Sequence, residues 1–129
     1  MPAFLRPFEG PIYSMLRILA GLMFFSHGLQ KIFELFGGPH PDLPGTLVWA
    51  AGLIELVGGA FIALGLFTRW SAFLCSGLMA AAYFMAHAPE HVFPIVNRGE
   101  LAILYCWLFL FVSAHGSGPW SLDRVLGRS

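Results

Sequence analysis

Four long apolar stretches divide the chain, over residues 12–36, 47–66, 70–87 and 97–114. A hydrocarbon core about 30 Å thick needs about 20 apolar residues in helical form. The stretches lack strict alternation and are too long for barrel strands, so each is predicted to be a helix. In lipid a helix satisfies its own backbone polar groups. The breaks carry turn chemistry. Gly37 to Gly45 reads GGPHPDLPG, Thr68-Arg69 gives a very short second link, and Ala88 to Val96 holds Pro89 and Pro94. Such short links force neighbouring helices to run antiparallel. The pattern predicts an all-α, integral membrane four-helix bundle of up-down-up-down topology, one domain over residues 1–129.

Composition sharpens this picture. The 129 residues are 57% hydrophobic and 11% charged, against about 25% charged in an ordinary soluble domain. Mean hydropathy is +0.73. Aromatic content of 16% excludes a disordered chain. Seven basic residues balance seven acidic ones, so no basic excess attracts nucleic acid. The expected partner is the lipid bilayer. The side holding both termini and the second link carries Arg6, Arg17, Arg69, Arg124 and Arg128, whereas the other carries Lys31 and Arg98. The positive-inside bias then places both termini in the cytoplasm. Trp49, Trp70 and Trp120 fall near the predicted boundaries, where aromatic belts form. Arg6 and Arg17 precede an apolar run, as in a signal peptide, but no small-x-small cleavage site follows, so the first segment reads as a retained helix.

Ionisable side chains at bilayer depth cost about 2.5–3.5 kcal/mol on insertion scales, so each needs a reason. On the first helix Arg17, Phe24, Gly28, Lys31 and Glu34 share one stripe, with His27 at its edge. That face is expected to look into the bundle, although Arg17 and Lys31 lie near enough to the ends to snorkel. On the second helix Gly52 and Gly59 flank Glu55 on one face, where small residues admit a neighbouring backbone. By helical rise Glu55 lies about 12 Å, and His27 about 13 Å, from the outer end. These matching depths predict that the two face one another. A carboxylate there must be protonated or paired, and the first helix offers His27 and Lys31. A structural bond and a ligand- or proton-handling role both fit.

Toward the outer surface the third helix carries Ser76, Ala80, Tyr83 and His87 in one stripe. His91 follows His87 at a possible metal spacing, but Pro89 intervenes, and no metal site is expected. Asn97 and Glu100 have the spacing of a capping box. Glu100, Trp107 and Phe111 also share a face that is a candidate for the inward one. Together His27, Lys31, Glu55, His87 and Glu100 suggest an outward-opening polar cleft. It suits a polar-headed, apolar-tailed molecule such as a quinone, whose carbonyls accept hydrogen bonds from His or Lys. Glu55 or His27 could then exchange the protons of quinol formation. A buried structural network would look the same. After the fourth helix, Gly116, Gly118 and Pro119 form a helix stop. Ser121 is a cap, and Asp123 is expected to pair with Arg17 or Arg69 at the inner face.

Cys75 and Cys106 lie at different depths in different helices, an awkward geometry for a disulfide, and both suit apolar packing. No Cys-x-x-Cys pair exists for a thiol relay. No nucleotide loop, haem-attachment motif or convincing metal set is present.

Taken in order, these residues resemble the DoxX family of small bacterial membrane proteins. The carrying pieces are Arg17-x-x-x-Gly21, His27-Gly28-x-x-Lys31, Glu55-x-x-Gly58-Gly59, Gly65-x-x-Thr68-Arg69 with Met79, His87, and Asn97-Arg98-Gly99-Glu100. The last is Gly116-x-Gly118-Pro119-Trp120-Ser121-Leu122-Asp123, and the resemblance spans residues 12–126. It implies a bacterial inner-membrane, multi-pass protein similar to the small membrane subunit of a thiosulfate:quinone oxidoreductase. Other members are linked to membrane redox complexes and oxidative-stress defence. The expected role is a quinone-linked redox subunit working with a peripheral or membrane oxidoreductase, with a homo-oligomer as a possible assembly. The larger quinone-reducing relative has extra sequence that this chain lacks, which argues against thiosulfate oxidation by the chain alone. A non-enzymatic membrane anchor or assembly factor is the alternative. Small-solute or proton transport ranks third, because four helices make a thin wall for alternating access.

Overall fold

The computed structural model describes residues 2–38 and 44–128. The anticipated first connection falls largely on residues 39–43, outside the described residues. Among the described residues the chain is all-α. A 3-10 turn, Ala3–Phe8, leads into α1, Glu9–Phe33. Then come α2, Gly45–Leu64, and α3, Thr68–Ala82, which continues as a π-helical turn, Tyr83–His87. A short α4, Pro94–Asn97, precedes α5, Glu100–His115, and a short α6, Leu122–Val125. The 3-10 turn and α1 together, and α2, are long and apolar enough to cross a membrane. Helices α3 and α5 have 15 and 16 residues and are shorter. They are cut by two local features. The Ala88 amide donates to the Tyr83 carbonyl at 2.9 Å, widening the end of α3. Arg98, at a φ of 60°, separates α4 from α5.

Helices α1 and α2 pack backbone to backbone along a glycine seam. A Cβ on Gly21 would lie 2.5 Å from the Ala63 nitrogen, and one on Gly28 would lie 2.5 Å from that of Leu56. From the other side, a Cβ on Gly59 would lie 2.5 Å from the Phe25 nitrogen. As residue number rises along α1 the contacts fall along α2, so the two helices are antiparallel. Packing of this kind is how small residues hold helices together where lipid removes the hydrophobic drive. Helices α3 and α5 form a second close pair, tied where Ser76 Oγ donates to the Cys106 carbonyl at 2.7 Å. Between the pairs the contact is made by large side chains. Phe24 of α1 meets Tyr105 and Phe109 of α5 at ring-centroid distances of 5.4 and 4.9 Å. Leu16, Met23, Val57, Leu74 and Trp107 stay exposed, so the periphery is as apolar as the core.

Three charged side chains close helix ends at one end of the molecule. Arg17, fully buried, donates through Nη1 to the Ile62 and Ala63 carbonyls (2.7 and 2.9 Å) and through Nη2 to the Trp120 carbonyl (2.7 Å). It thereby neutralises the negative end of α2 and holds the segment after α5. Arg69 donates to the Ser113 and Ala114 carbonyls (3.0 and 2.6 Å) at the end of α5. Asp123 accepts from the Phe67 and Thr68 amides, each at 2.8 Å, at the start of α3. The expected pairing of Asp123 with Arg17 or Arg69 therefore does not form. Each charge is taken by helix-end backbone groups that would otherwise be unpaired, and the guanidinium nearest Asp123 is that of Arg128, at 3.8 Å. Burial pushes the Asp123 carboxyl upward, but the hydrogen bonds from Thr68 and Phe67 and the charge of Arg128 outweigh it and hold the group below the usual aspartate range. Gly65 makes the junction possible. Its φ is +70°, and a Cβ there would overlap Ser121.

Candidate functional site: a half-satisfied carboxylate between the helix pairs

Glu55 sits on the inner face of α2, 1% exposed, one turn after Gly52. Lys31, near the end of α1, lies over Gly52, where a Cβ would come 2.7 Å from that of Lys31. The missing side chain lets the lysine stem run along α2 and bring Nζ to 2.6 Å from Glu55 Oε1. Glu55 Oε2 is buried and has no hydrogen-bond partner. A second orphan lies across the gap between the pairs. The hydroxyl of Tyr105, a residue 4% exposed on α5, is also buried and unpartnered. Gly58, one turn along α2 from Glu55, lets the Cys75 thiol of α3 seat against that helix, and Tyr105 packs on Phe24 of α1 with centroids 5.4 Å apart. His27, half-buried on α1, meets Tyr105 edge-on with centroids 6.2 Å apart. The four long helices thus each contribute at least one polar or sulfur-bearing group to this region, with Lys31 and His27 both from α1. Buried polar atoms are nearly always hydrogen-bonded. Glu55 Oε2 and the Tyr105 hydroxyl, an acceptor and a donor, are exceptions among the described residues, as are Arg17 Nε, Thr68 Oγ1 and Ser117 Oγ.

Of the two partners open to Glu55, Lys31 is the one that bonds. His27 makes no hydrogen bond to Glu55. Its ring faces Tyr105 and a surface depression of about 170 Å³ lined also by Ser26, Gln30 and Phe36. His87 and Glu100 do not join the cluster. His87 Nδ1 lies 2.9 Å from the Asn97 carbonyl, in a separate network where Asn97, fully buried, donates to the Tyr83 hydroxyl and the His91 carbonyl. Glu100 is exposed at the start of α5. The expected capping box gives way to a tighter arrangement in which Asn97 Oδ1 accepts from the Gly99 amide at 2.8 Å. Glu34 is exposed too, in the left-handed conformation that ends α1. The polar stripe of α1 is buried from Arg17 to Gly28 and opens at Lys31. The inward face of α5 is Ala102, Tyr105, Phe109 and Val112, whereas Trp107 and Phe111 are exposed. Sequence reasoning passed over Tyr105. Its spacing from Ala102, Phe109 and Val112 was the available signal. Cys75 and Cys106 are free thiols.

Comparison with known proteins supplies the family. Residues 12–88 match the DoxX family model. An uncharacterized protein of Haemophilus influenzae is 41% identical, over 86% of this chain and 87% of its own length. A Bacillus subtilis protein named "Putative oxidoreductase CatD" is 36% identical over 84% of this chain and 82% of its own. The inner membrane protein YqjF of Escherichia coli is 30% identical over 87% and 89%. No solved structure matches the chain. The family match covers the glycine seam, Lys31, Glu55 and Cys75 together, and the chain belongs to the DoxX family of membrane proteins.

Proposed function

We propose that this chain is the membrane-embedded, quinone-linked subunit of an oxidoreductase complex. The observation that carries the reading is the half-satisfied Glu55 carboxylate, whose free Oε2 is buried in the same interior as the unpartnered Tyr105 hydroxyl. A quinone bound here would supply two-electron, two-proton chemistry, with the electrons delivered by a peripheral or membrane oxidoreductase partner. The residues present suit such a head group. The Tyr105 hydroxyl donates to a carbonyl oxygen, and Glu55 Oε2 accepts from a hydroxyl or holds a proton. Lys31, at 2.6 Å from Oε1, holds one oxygen of the carboxylate and leaves the other free for the ligand. His27, beside Tyr105 and open to the surface depression, offers a route for that proton. The oxidoreductase name of the Bacillus subtilis relative agrees with this role.

In this reading all four long helices span the bacterial inner membrane. The π turn and α4 extend the two shorter ones. Both termini face the cytoplasm, where Arg6, Arg17, Arg69, Arg124 and Arg128 gather. The inner-membrane name of the Escherichia coli relative supports the location.

The test is binding of ubiquinone or menaquinone to the purified protein in mild detergent. Wild type is expected to bind, with Glu55→Gln and Tyr105→Phe each weakening binding about tenfold, the worth of one well-placed hydrogen bond left unmade. No binding to wild type, or equal binding to all three, contradicts the proposal. A second reading, a non-enzymatic anchor, draws on the Arg17, Arg69 and Asp123 contacts, all of which brace helix ends. A partner protein retained after Glu55→Gln, with no quinone bound to wild type, favours it.

A further inference from the structure

Helices α2 and α3 pack less closely than the two tight pairs, and a groove of about 340 Å³ runs between them. Its walls include Ile54, Val57 and Phe61 of α2 and Leu74 of α3, and its floor is Gly58 and Cys75. Ser71 is the one wall residue with a hydroxyl. Val57 and Leu74 are exposed, so the groove opens on the apolar periphery. Gly58 has a particular part. A Cβ there would overlap Cys75 Sγ, so the glycine lets the thiol seat against α2 and form the floor. Gly58 lies one turn along α2 from Glu55, so the thiol seated against it borders the carboxylate's turn of that helix. The apolar groove and the carboxylate region therefore meet at one side chain, approached from lipid on one side and from the interior on the other.

We propose that this groove seats the isoprenoid tail of the quinone whose head group lies at Glu55 and Tyr105, an inference that rests on the quinone reading above. The head needs polar partners and the tail needs hydrocarbon, and Cys75, small and apolar, separates the two environments. The tail enters sideways from the bilayer between α2 and α3, with no passage through the aqueous surface. Because lipid is as apolar as the groove, seating the tail adds little affinity. The readout is therefore the tail's position.

The experiment uses the full chain in lipid nanodiscs and a benzoquinone carrying a photoreactive group on a decyl tail. After illumination, labelled peptides are mapped by mass spectrometry. The expected result is labelling concentrated in Leu53–Phe61 and Ser71–Cys75, lost with excess unlabelled tailed quinone. Leu74→Trp and Ile54→Trp fill the groove from its exposed rim without touching the core. They are expected to abolish that labelling and leave binding of the same benzoquinone without a tail unchanged. Labelling spread over every lipid-facing helix, or labelling that the competitor does not displace, overturns the tail assignment alone. So does groove labelling by a photoreactive phospholipid that saturating quinone leaves intact. Failure of wild type to bind the tailless benzoquinone overturns the head-group reading and this inference with it.

Discussion

Lys31 Nζ and Glu55 Oε1 lie 2.6 Å apart across the seam of α1 and α2, and the other oxygen of the same carboxylate is buried without a partner. The pair closes the end of the glycine seam and leaves half of a charge unsatisfied. A buried ion pair contributes little beyond a well-packed apolar pair, but breaking it strands a charge. Lys31→Met is expected to destabilise the protein by about 3–5 kcal/mol. The double variant Lys31→Met/Glu55→Leu is expected to recover most of that loss. Thermal unfolding in detergent checks this, and losses that simply add would contradict it.

The glycine seam has no slack. Gly28→Val places methyl groups where a Cβ alone would lie 2.5 Å from the Leu56 backbone nitrogen. Backbone cannot rotate away as a side chain can, so the helices must separate. The expected loss is at the upper end of the about 1–3 kcal/mol typical of overpacking, or more. Gly77→Ala is the control, because nothing lies within 4 Å of a Cβ there. Urea unfolding of the two variants should differ accordingly.

Arg17 joins the end of α2 to the segment after α5 with a planar, forked donor that lysine cannot reproduce. Arg17→Lys is therefore expected to free residues 116–123 while α1 and α2 stay paired. Limited proteolysis should cut that segment in the variant and spare it in wild type. Equal resistance would show that Tyr13 and Ser14, which also donate to the Gly116 and Pro119 carbonyls, suffice.

Asp123 gives an acid dependence of known sign. Its folded pKa lies below the unfolded value of about 3.9. Its contribution is therefore fully present above that value and is lost as pH falls through the folded pKa. Asp123→Asn removes the contribution and costs about 1–2 kcal/mol at neutral pH, on the scale of a lost helix cap. The wild-type advantage should shrink as pH is lowered below about 4. Melting temperatures of both proteins from pH 7 to 3 test this, and a gap that widens in acid would contradict it.

The all-α character was legible because long apolar runs have few other outcomes, and two of the helices are long and apolar enough to cross a membrane. Gly52, Glu55 and Gly59 on one face announced a close helix contact around a carboxylate, but depth matching pointed to His27 and it is the longer, more flexible Lys31 that reaches Glu55. The rest escaped for physical reasons. Helix α5 is apolar on both its core and lipid faces, so hydrophobic periodicity could not orient it. Charge drew attention to Glu100, Trp107 and Phe111 instead of Tyr105. The roles of Arg17, Arg69 and Asp123 are played against backbone carbonyls and amides, which leave no trace in side-chain pattern. The π turn at Tyr83–His87 and the break at Arg98 are conformational choices that set His87 and Glu100 apart from Glu55.

The quinone reading requires the buried Glu55 Oε2 and Tyr105 hydroxyl to take a ligand's polar head as their missing partner. Infrared difference spectroscopy on adding a tailless benzoquinone and its quinol reads this directly. A shifted carboxylate band that disappears in Glu55→Gln, with a phenol band that disappears in Tyr105→Phe, is the predicted result. An unperturbed carboxylate, or the same spectrum from both variants, would contradict it.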